Sequence, residues 1–311
     1  MIDNEKPLVS VLVPAYNHKD YVIETILSII NQTYGYENIQ LIVIDDFSTD
    51  KTAVILYELA AKYDFKLIVH KQNLGVCTTL NEMISLSKGE YITACASDDI
   101  MILDRIENQI NILKNNPDID ILAGDDILID QHGKTIYTYS KDPYSSLITY
   151  SFDDLFLMLK PGFAAGSVIF KSDLFQRIGT YDTNYKVEDY YFWLKAAYNN
   201  AKIVKCNLPF LYYRVHQKSF SSNNKLMDQE VSKILAIYNL HPKYSKALQN
   251  REFYNMSKCI FYSKIKVIQH LIKNPKLFLN KKIIKILTML ILPSFMLKRI
   301  FPEIYFIHAT I

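Results

Sequence analysis

The sequence predicts an α/β fold with a mainly parallel sheet, followed by a basic helical extension. From residue 8 onward, short β-branched runs alternate with longer helix-like segments, which is the pattern of βαβ units. Polar residues follow several of these runs directly. After residue 224 the composition shifts to Lys, Ile, Leu and aromatic residues. These three observations together indicate the fold class.

The apolar runs are the predicted strands. They comprise residues 8–13, 39–44, 66–69, 91–95 and 119–123, and a further strand is expected at 202–206. A helix is expected at 20–31, where apolar residues recur at helical spacing, and a second at 53–63, preceded by the polar residues 48–50 as candidate caps. Another helix is expected at 189–198.

Charge divides the chain near Asn224, where we place a domain boundary. Residues 1–224 carry 20 Lys and Arg against 28 Asp and Glu, a net charge of −8, and residues 225–311 carry 15 against 4, a net charge of +11. Half of all residues are hydrophobic and 22% are charged, which excludes disordered and low-complexity classes. The basic end of the chain is expected to meet an anionic surface.

The start of the chain and its cysteines indicate a cytoplasmic protein. Residues 1–7 have neither the basic start nor the apolar run of a signal peptide, so export is not expected. The four cysteines are far apart and form no CxxC pair, so neither a zinc site nor a disulfide framework is indicated. They are Cys77, Cys95, Cys206 and Cys259.

Polar groups follow three of the predicted strands. In open sheets of this kind, ligands bind beyond the carboxyl ends of the strands. The residues at these ends are Pro14-Ala15-Tyr16-Asn17, Asp45-Asp46-Phe47-Ser48 and Ser97-Asp98-Asp99. We therefore expect a ligand site at this rim.

The two acidic pairs at strand ends allow two interpretations each. Asp98 and Asp99 could bind Mg²⁺ or Mn²⁺ together with a diphosphate, or cap the following helix. Asp45 and Asp46 could accept hydrogen bonds from a base or ribose, or act as caps. A phosphoacceptor receiver domain also carries acids at a strand end, but the second pair and the chain length argue against it.

Two further motifs lie downstream. Glu188 and Asp189 begin a helix that holds the chain's only tryptophan, Trp193, and they could either cap it or supply a general base. Arg214 and His216 follow another apolar run and could offer a cation and an imidazole to phosphates or a metal, although a lone histidine is more often a surface or core residue.

In this order, the motifs resemble those of inverting family 2 glycosyltransferases with the GT-A fold, many of which build bacterial surface polysaccharides such as O-antigen and capsule. The resemblance covers about residues 8–223. The matching elements are Pro14-Ala15-Tyr16-Asn17, Asp45-Asp46, Asn73-Leu74-Gly75, Ser97-Asp98-Asp99, Glu188-Asp189 and Tyr213-Arg214-Val215-His216.

The resemblance implies roles at the matching positions. Pro14, Ala15, Tyr16, Asn17 and Asp46 would hold the uridine or other base, Asn73 and Gly75 would shape the nucleotide loop, and Ser97, Asp98 and Arg214 would complete the nucleotide-sugar site. Asp99 and His216 would bind Mn²⁺ or Mg²⁺. Asp189 would be the catalytic base, with Glu188 and Trp193 forming the donor and acceptor pocket.

Two departures from the family pattern affect this expectation. Phe47 stands where the family often has Gly, and Ser97 replaces the first Asp of a strict DxD motif. The phenylalanine would reshape the base pocket, whereas a serine variant is common in the family and is not interpreted as a loss of activity.

The basic C-terminal region has one apolar stretch. Residues 286–297 carry no charge but are interrupted by Pro293, and they fall short of the roughly 20 residues that a spanning helix needs. An interfacial helix on the inner leaflet of the cell membrane is therefore expected, with a helical bundle that packs on the catalytic domain or on another subunit as the alternative. A nucleic-acid partner is not expected, because the catalytic segment is acidic.

The sequence thus predicts a metal-dependent, inverting transfer of a hexose from a nucleoside diphosphate sugar to a lipid-linked, polyprenyl diphosphate saccharide, in surface-polysaccharide assembly. The nucleotide side would occupy about residues 7–130, the acceptor side 131–224 and the membrane-associating region 225–311. The alternatives are a catalytically silent nucleotide-sugar-binding or scaffold protein and a donor hydrolase. A homo-oligomer is left open.

Overall fold

The computed structural model describes residues 6–138, 147–216 and 224–300. Residues 1–5, on which the expectation of no export signal partly depends, lie outside the described residues. The described chain forms a mixed, mostly parallel sheet with helices on both faces and a group of helices at its C-terminal end.

Within the described residues the sheet has ten strands. They are β1 (Val9–Ala15), β2 (Ile39–Asp45), β3 (Lys66–Val69), β4 (Tyr91–Ala94), β5 (Ile100–Met101), β6 (Ile121–Ile129), β7 (Thr135–Thr138), β8 (Ile148–Tyr150), β9 (Ile169–Lys171) and β10 (Ile203–Arg214). The strand order is β3-β2-β1-β4-β9-β6-β10-β5, with β7 paired to β6 and β8 to β10. Strands β1 to β4 are mutually parallel, and β9 is antiparallel to its neighbours.

Twelve α-helices accompany the sheet in the described residues. They are α1 (Val22–Ile30), α2 (Thr52–Lys62), α3 (Val76–Leu86), α4 (Arg105–Asn115), α5 (Phe152–Phe156), α6 (Asp173–Ile178), α7 (Glu188–Tyr198), α8 (Asn224–Ala236), α9 (Tyr244–Tyr262), α10 (Lys264–Lys273), α11 (Ile283–Ile291) and α12 (Ser294–Ile300).

The two faces of the sheet are covered by separate apolar cores. Successive strand residues point to opposite faces, so in β1 Val11 and Val13 join one core and Leu12 joins the other. Helix α1 packs on the first face through Ile26 and Ile29, which are fully buried. Strands that are buried on both faces must be apolar almost throughout, which explains the unbroken runs in the sequence.

The predicted strands and helices are confirmed, and their bounds differ at a few ends. Strand β6 runs to Ile129 and β10 to Arg214, well beyond the expected 119–123 and 202–206, because the two strands pair with each other along their length. The N-cap residue of α2 is Lys51, outside the predicted caps 48–50. Asp50 still accepts a hydrogen bond from the backbone N–H of Thr52, at 2.8 Å.

The C-terminal helices pack both on the sheet domain and on each other. Ile234 of α8 belongs to the same core as Phe192 of α7, and Asn250 of α9 donates a hydrogen bond to the carbonyl of Leu157, at 2.7 Å. A third core joins α9 to α10–α12. Within the part of the chain that the structure describes, none of the helices has the length and apolar character that crossing a bilayer requires.

All four cysteines lie within the described residues. All four are free, and three of them are buried. The structure thus uses them as small apolar side chains.

Candidate functional site

The ends of β1 and β2 are tied together by hydrogen bonds between their loops. The backbone N–H of Asn17 donates to Ser48 Oγ, and the Asn17 side chain accepts from the backbone N–H of Thr49, both at 2.8 Å. Asn17 and Phe47 both adopt positive φ, of 58° and 65°. Phe47 therefore holds a left-handed conformation that glycine would adopt without strain, which explains why glycine suits this position.

The Asp46 carboxylate anchors the loop that follows β3. It accepts hydrogen bonds from the backbone N–H groups of Leu74 and Gly75, both at 2.8 Å, while Asn73 Nδ2 donates to the Asp46 carbonyl at 3.1 Å. Sequence reasoning assigned this carboxylate to the base. The structure places it between the β2 end and the loop of residues 73–75, so Asp46 fixes the wall of any base pocket formed there.

His70 is a member of this arrangement that sequence reasoning missed. Its Nδ1 lies 2.7 Å from Asp46 Oδ1 and its Nε2 lies 3.0 Å from Glu82 Oε2. Burial lowers the pKa of His70, but the hydrogen bonds to Asp46 and Glu82 outweigh this and raise the pKa above its ordinary value. Because His70 directly follows β3, a search of the residues just beyond each strand's carboxyl end (the strand-end rule) could have found it.

A second cluster lies at the end of β4. Asp98 Oδ2 is 2.9 Å from His216 Nε2 and 3.6 Å from His18 Nε2, and His18 Nδ1 is 2.7 Å from Ser97 Oγ. The Tyr21 ring stacks on His216 with a centroid distance of 5.4 Å. Burial opposes ionisation of Asp98, yet the hydrogen bond from His216 and the charges of both histidines lower its pKa.

Among the described residues, His18, Asp98 and His216 form a group that could hold a metal ion. One ligand atom from each lies within 4.8 Å of the others. Two imidazole nitrogens with one carboxylate oxygen fit Mn²⁺ better than Mg²⁺, which prefers oxygen ligands. His18 was missed by sequence reasoning, although it follows Asn17 directly.

Asp99 and Arg214, both predicted site residues, lie deeper than the cluster. Asp99 Oδ1 accepts a hydrogen bond from the backbone N–H of Arg214, and Arg214 Nε donates to the Asp98 carbonyl, both at 2.8 Å. The guanidinium pairs with Glu24 at 2.7 Å and lies over the Tyr21 ring. The Arg214 side chain thus contacts other groups of the protein: the Asp98 carbonyl, Glu24 and the Tyr21 ring. Asp99, expected as a metal ligand, is not a member of the group of candidate ligand atoms, which includes Asp98.

The acidic pair at the start of α7 faces the same cleft. Asp189 Oδ1 accepts a hydrogen bond from the backbone N–H of Tyr190, at 2.6 Å, so one carboxylate oxygen satisfies a donor in the first turn of the helix. The N-cap residue itself is Val187, which makes no side-chain cap. Burial and the neighbouring Asp189 charge raise the pKa of Glu188 to about 8, and burial raises the pKa of Asp189. Burial thus favours the protonated form of both carboxyl groups.

Trp193 packs mainly within the core. Its ring lies 5.3 Å from the Phe163 ring and stacks on Phe170 at 5.6 Å, between centroids. Only 4% of its surface is exposed, so it contributes to the wall of the cleft rather than to an open acceptor platform.

One cleft of about 1500 Å³ brings most of the predicted residues together. The predicted residues that line it are Pro14, Ala15, Tyr16, Asp46, Asn73, Gly75, Ser97, Asp98, Asp99, Glu188, Asp189 and Trp193. Asn17, Arg214 and His216 stand behind the lining and hold it in place.

The cleft also contains charged residues of β6 and β10 that sequence reasoning missed. Asp125 pairs with Lys205, and burial together with the Asp125 charge raises the pKa of the adjacent Asp126 to about 7. The positions of these residues within long apolar strands gave no sequence signal.

The chain is similar in sequence to proteins of a known family. The family described as glycosyl transferase family 2 matches residues 10–178. A protein described as an uncharacterized glycosyltransferase of Rickettsia typhi is 36% identical over 193 residues, which is 61% of this chain and 58% of that protein. The chain therefore spans less than two thirds of that relative.

A second relative is 30% identical over 224 residues, which is 70% of this chain and 80% of that protein. It is WfaP of Escherichia coli, named a UDP-Glc:alpha-D-GlcNAc-diphosphoundecaprenol beta-1,3-glucosyltransferase.

Two solved structures share the fold. Residues 1–349 of Staphylococcus aureus TarS, solved with UDP-GlcNAc, give a TM-score of 0.59 at 20% identity, covering 78% of this chain and 70% of that chain. The mannosyltransferase PcManGT from Pyrobaculum calidifontis, solved with GDP-Man and Mn²⁺, gives 0.60 at 17% identity, covering 96% and 89%.

Proposed function

The chain belongs to glycosyl transferase family 2, and we propose that it transfers a hexose from a nucleoside diphosphate sugar to an acceptor hydroxyl with inversion at the anomeric carbon. One observation carries the proposal. A single cleft is lined both by His18 and Asp98, which His216 contacts from behind the lining, and by the buried pair Glu188 and Asp189. Such a cleft can bind a diphosphate at one end and remove an acceptor proton at the other.

The donor is proposed to be a UDP-sugar. Tyr16 is half exposed at the mouth of the cleft and would contact the base, while the loop of residues 73–75, held by Asp46, would form the opposite wall. The UDP-GlcNAc complex of TarS and the UDP-Glc donor in the name of WfaP support this choice.

Asp98, His18 and His216 would hold the divalent ion, with Asp99 and Arg214 fixing the backbone behind them. When bound, Mn²⁺ supplies positive charge that stabilises the departing diphosphate. The Mn²⁺ in the PcManGT structure supports the same choice of metal.

Asp189 would act as the catalytic base. Its carboxylate accepts the proton of the acceptor hydroxyl while the acceptor oxygen bonds to the anomeric carbon and the bond to the diphosphate oxygen breaks. Glu188, protonated beside it, would donate a hydrogen bond to the sugar or the acceptor. Attack opposite the leaving group inverts the configuration.

The acceptor is proposed to be a lipid-linked saccharide used in surface-polysaccharide assembly. The diphosphoundecaprenol acceptor in the name of WfaP supports this class. In this scheme residues 7–130 bind the donor, residues 131–224 the acceptor, and 225–311 form the membrane-associating region.

The C-terminal helices are proposed to lie on the inner face of the cell membrane. Helices α10–α12 expose a series of apolar side chains: Ile265, Ile268, Ile272, Ile284, Leu287, Ile291, Phe295, Met296 and Ile300. Lysines accompany them, and each lysine near an anionic surface contributes about 1 kcal/mol. The apolar surface is thus spread over three helices rather than one.

Calorimetry tests the proposed function. A panel of nucleoside diphosphate sugars would be titrated into the protein with Mn²⁺ and again with chelator, and we expect metal-dependent binding of one donor. Asp189→Asn should retain that binding and lose turnover. Binding without turnover in the wild type would favour the silent scaffold, product formation without acceptor would favour a hydrolase, and no binding at all would overturn the donor assignment.

A further inference from the structure

The cleft extends past the catalytic pair to the C-terminal helices. Ser257 of α9 and Lys282 and Lys285 at the start of α11 line the same cavity as Glu188 and Asp189. At about 1500 Å³ it exceeds the roughly 300–1,000 Å³ of an ordinary small-molecule pocket. It therefore has room for a second molecule beside the donor.

The far end of the cleft is strongly cationic. Lys282 and Lys285 are three residues apart, so they lie on one face of α11, one turn from each other. Burial lowers the pKa of Lys282, and the charges of Lys246 and Lys285 lower it further. The sequence of helices α10–α12 contains lysines but no acidic residue.

An apolar surface adjoins this cationic end. Helix α11 buries Ile283, Ile286 and Met289 against the third core, and it exposes Ile284 and Ile291 on another face. Ile284 is 66% exposed and Ile291 is 83% exposed. The lysines thus lie between the cleft and an exposed aliphatic surface.

We propose that Lys282 and Lys285 bind the diphosphate group that joins the acceptor saccharide to its lipid. The inference rests on the proposed function and adds the site that recognises the acceptor. The saccharide would extend along the cleft toward Asp189, and the lipid would leave over the exposed face of α11. Lysines suit this task because an ammonium group binds phosphate as a compact charge.

Binding of undecyl diphosphate tests the proposal, measured by calorimetry below its micelle concentration with the donor site filled by UDP and Mn²⁺. We expect the double variant Lys282→Gln, Lys285→Gln to weaken this binding by at least about tenfold, because each loses a charged contact to phosphate. The matched control is Lys273→Gln, Lys276→Gln, which removes two lysines of the same basic region that do not line the cleft. It should bind the probe as the wild type does.

Three results would overturn the proposal: no binding of the probe to the wild type, equal binding to the double variant, or an equal loss in the control. Inorganic pyrophosphate separates the two sources of phosphate. If it binds as tightly as undecyl diphosphate, the lipid-linked acceptor is overturned in favour of a free anion. Under this proposal the double variant and the control bind UDP as tightly as the wild type does. If the proposed function itself were wrong, none of the three proteins would bind the nucleotide.

Discussion

His70 Nδ1 lies 2.7 Å from Asp46 Oδ1, in the same carboxylate that accepts the backbone N–H groups of Leu74 and Gly75. The imidazole also reaches Glu82, so a protonated His70 would bridge two carboxylates. The position and protonation of His70 therefore bear on how firmly Asp46 holds the loop of residues 73–75, which we propose forms a wall of the nucleotide pocket.

This bridge predicts a pH-dependent stability. The pKa of His70 is raised in the folded protein, so its stabilisation is fully present below its unfolded pKa of about 6.5 and is lost as the pH rises through the folded value. Urea unfolding of wild type and His70→Asn would measure it. We expect the difference in free energy of unfolding to be larger at acidic pH than at alkaline pH, and a constant difference would contradict the bridge.

Phe47→Gly should stabilise the protein. The left-handed backbone at φ 65° is strained for phenylalanine by about 1–2 kcal/mol. Glycine would remove this strain, but its greater freedom in the unfolded chain would cost roughly 0.5–1 kcal/mol. The ring is 46% exposed, so little burial is lost. Thermal or urea unfolding should show a gain of up to about 1 kcal/mol. Phe47→Ala is the control, because it keeps the Cβ atom and should show no such gain.

Mn²⁺ binding should depend on Asp98 more than on Asp99. Loss of a carboxylate ligand is expected to weaken Mn²⁺ affinity in the presence of UDP by at least about tenfold, whereas Asp99→Asn retains an oxygen that can accept the Arg214 N–H. Calorimetry or electron paramagnetic resonance would measure both variants. The reverse ranking would return the metal to Asp99, where the sequence motif placed it.

The pH dependence of turnover should identify the base. If Asp189 must be ionised, kcat rises with pH on the acid limb of the pH–rate profile. The midpoint of this rise should lie above the usual pKa range of aspartate, because burial raises the pKa of Asp189. Asp189→Asn should lower kcat by about 10²–10⁴. Glu188→Gln removes the other carboxyl group and should keep the acid limb; loss of the limb in this variant would instead make Glu188 the base.

Vesicle binding tests the apolar surface of α11. Ile284→Ser, Ile291→Ser should reduce co-sedimentation with vesicles that contain anionic phospholipid, because it removes two exposed aliphatic groups from the proposed contact. The matched control is Val54→Ser, Tyr57→Ser on α2, where both side chains are more than half exposed. Equal sedimentation of all three proteins would argue against a membrane contact at α11.

Inspection of the residues at the strand ends led us to expect several polar side chains at one rim of the sheet. Pro14 to Tyr16, Asp46 and Asp98 do line one cleft, because parallel strands bring their carboxyl ends to one edge. The strand-end rule could not tell which of the two adjacent carboxylates lies beside the histidines, since Asp98 and Asp99 both line the cleft. Strand β5 pairs with β10, which holds Asp99 against Arg214 and leaves Asp98 beside the two histidines.

The sequence by itself determined the fold class, the order of the motifs and the helical, basic character of the C-terminal region, because hydrophobic periodicity and charge are local properties. Tertiary structure alone decided the contacts between distant residues. His18 and His216 lie beside Asp98 although they are 80 and 118 residues away from it in the sequence. Lys282 lines the same cleft as Pro14. Such meetings depend on how the strands pair and how the helices pack, and no local pattern encodes them.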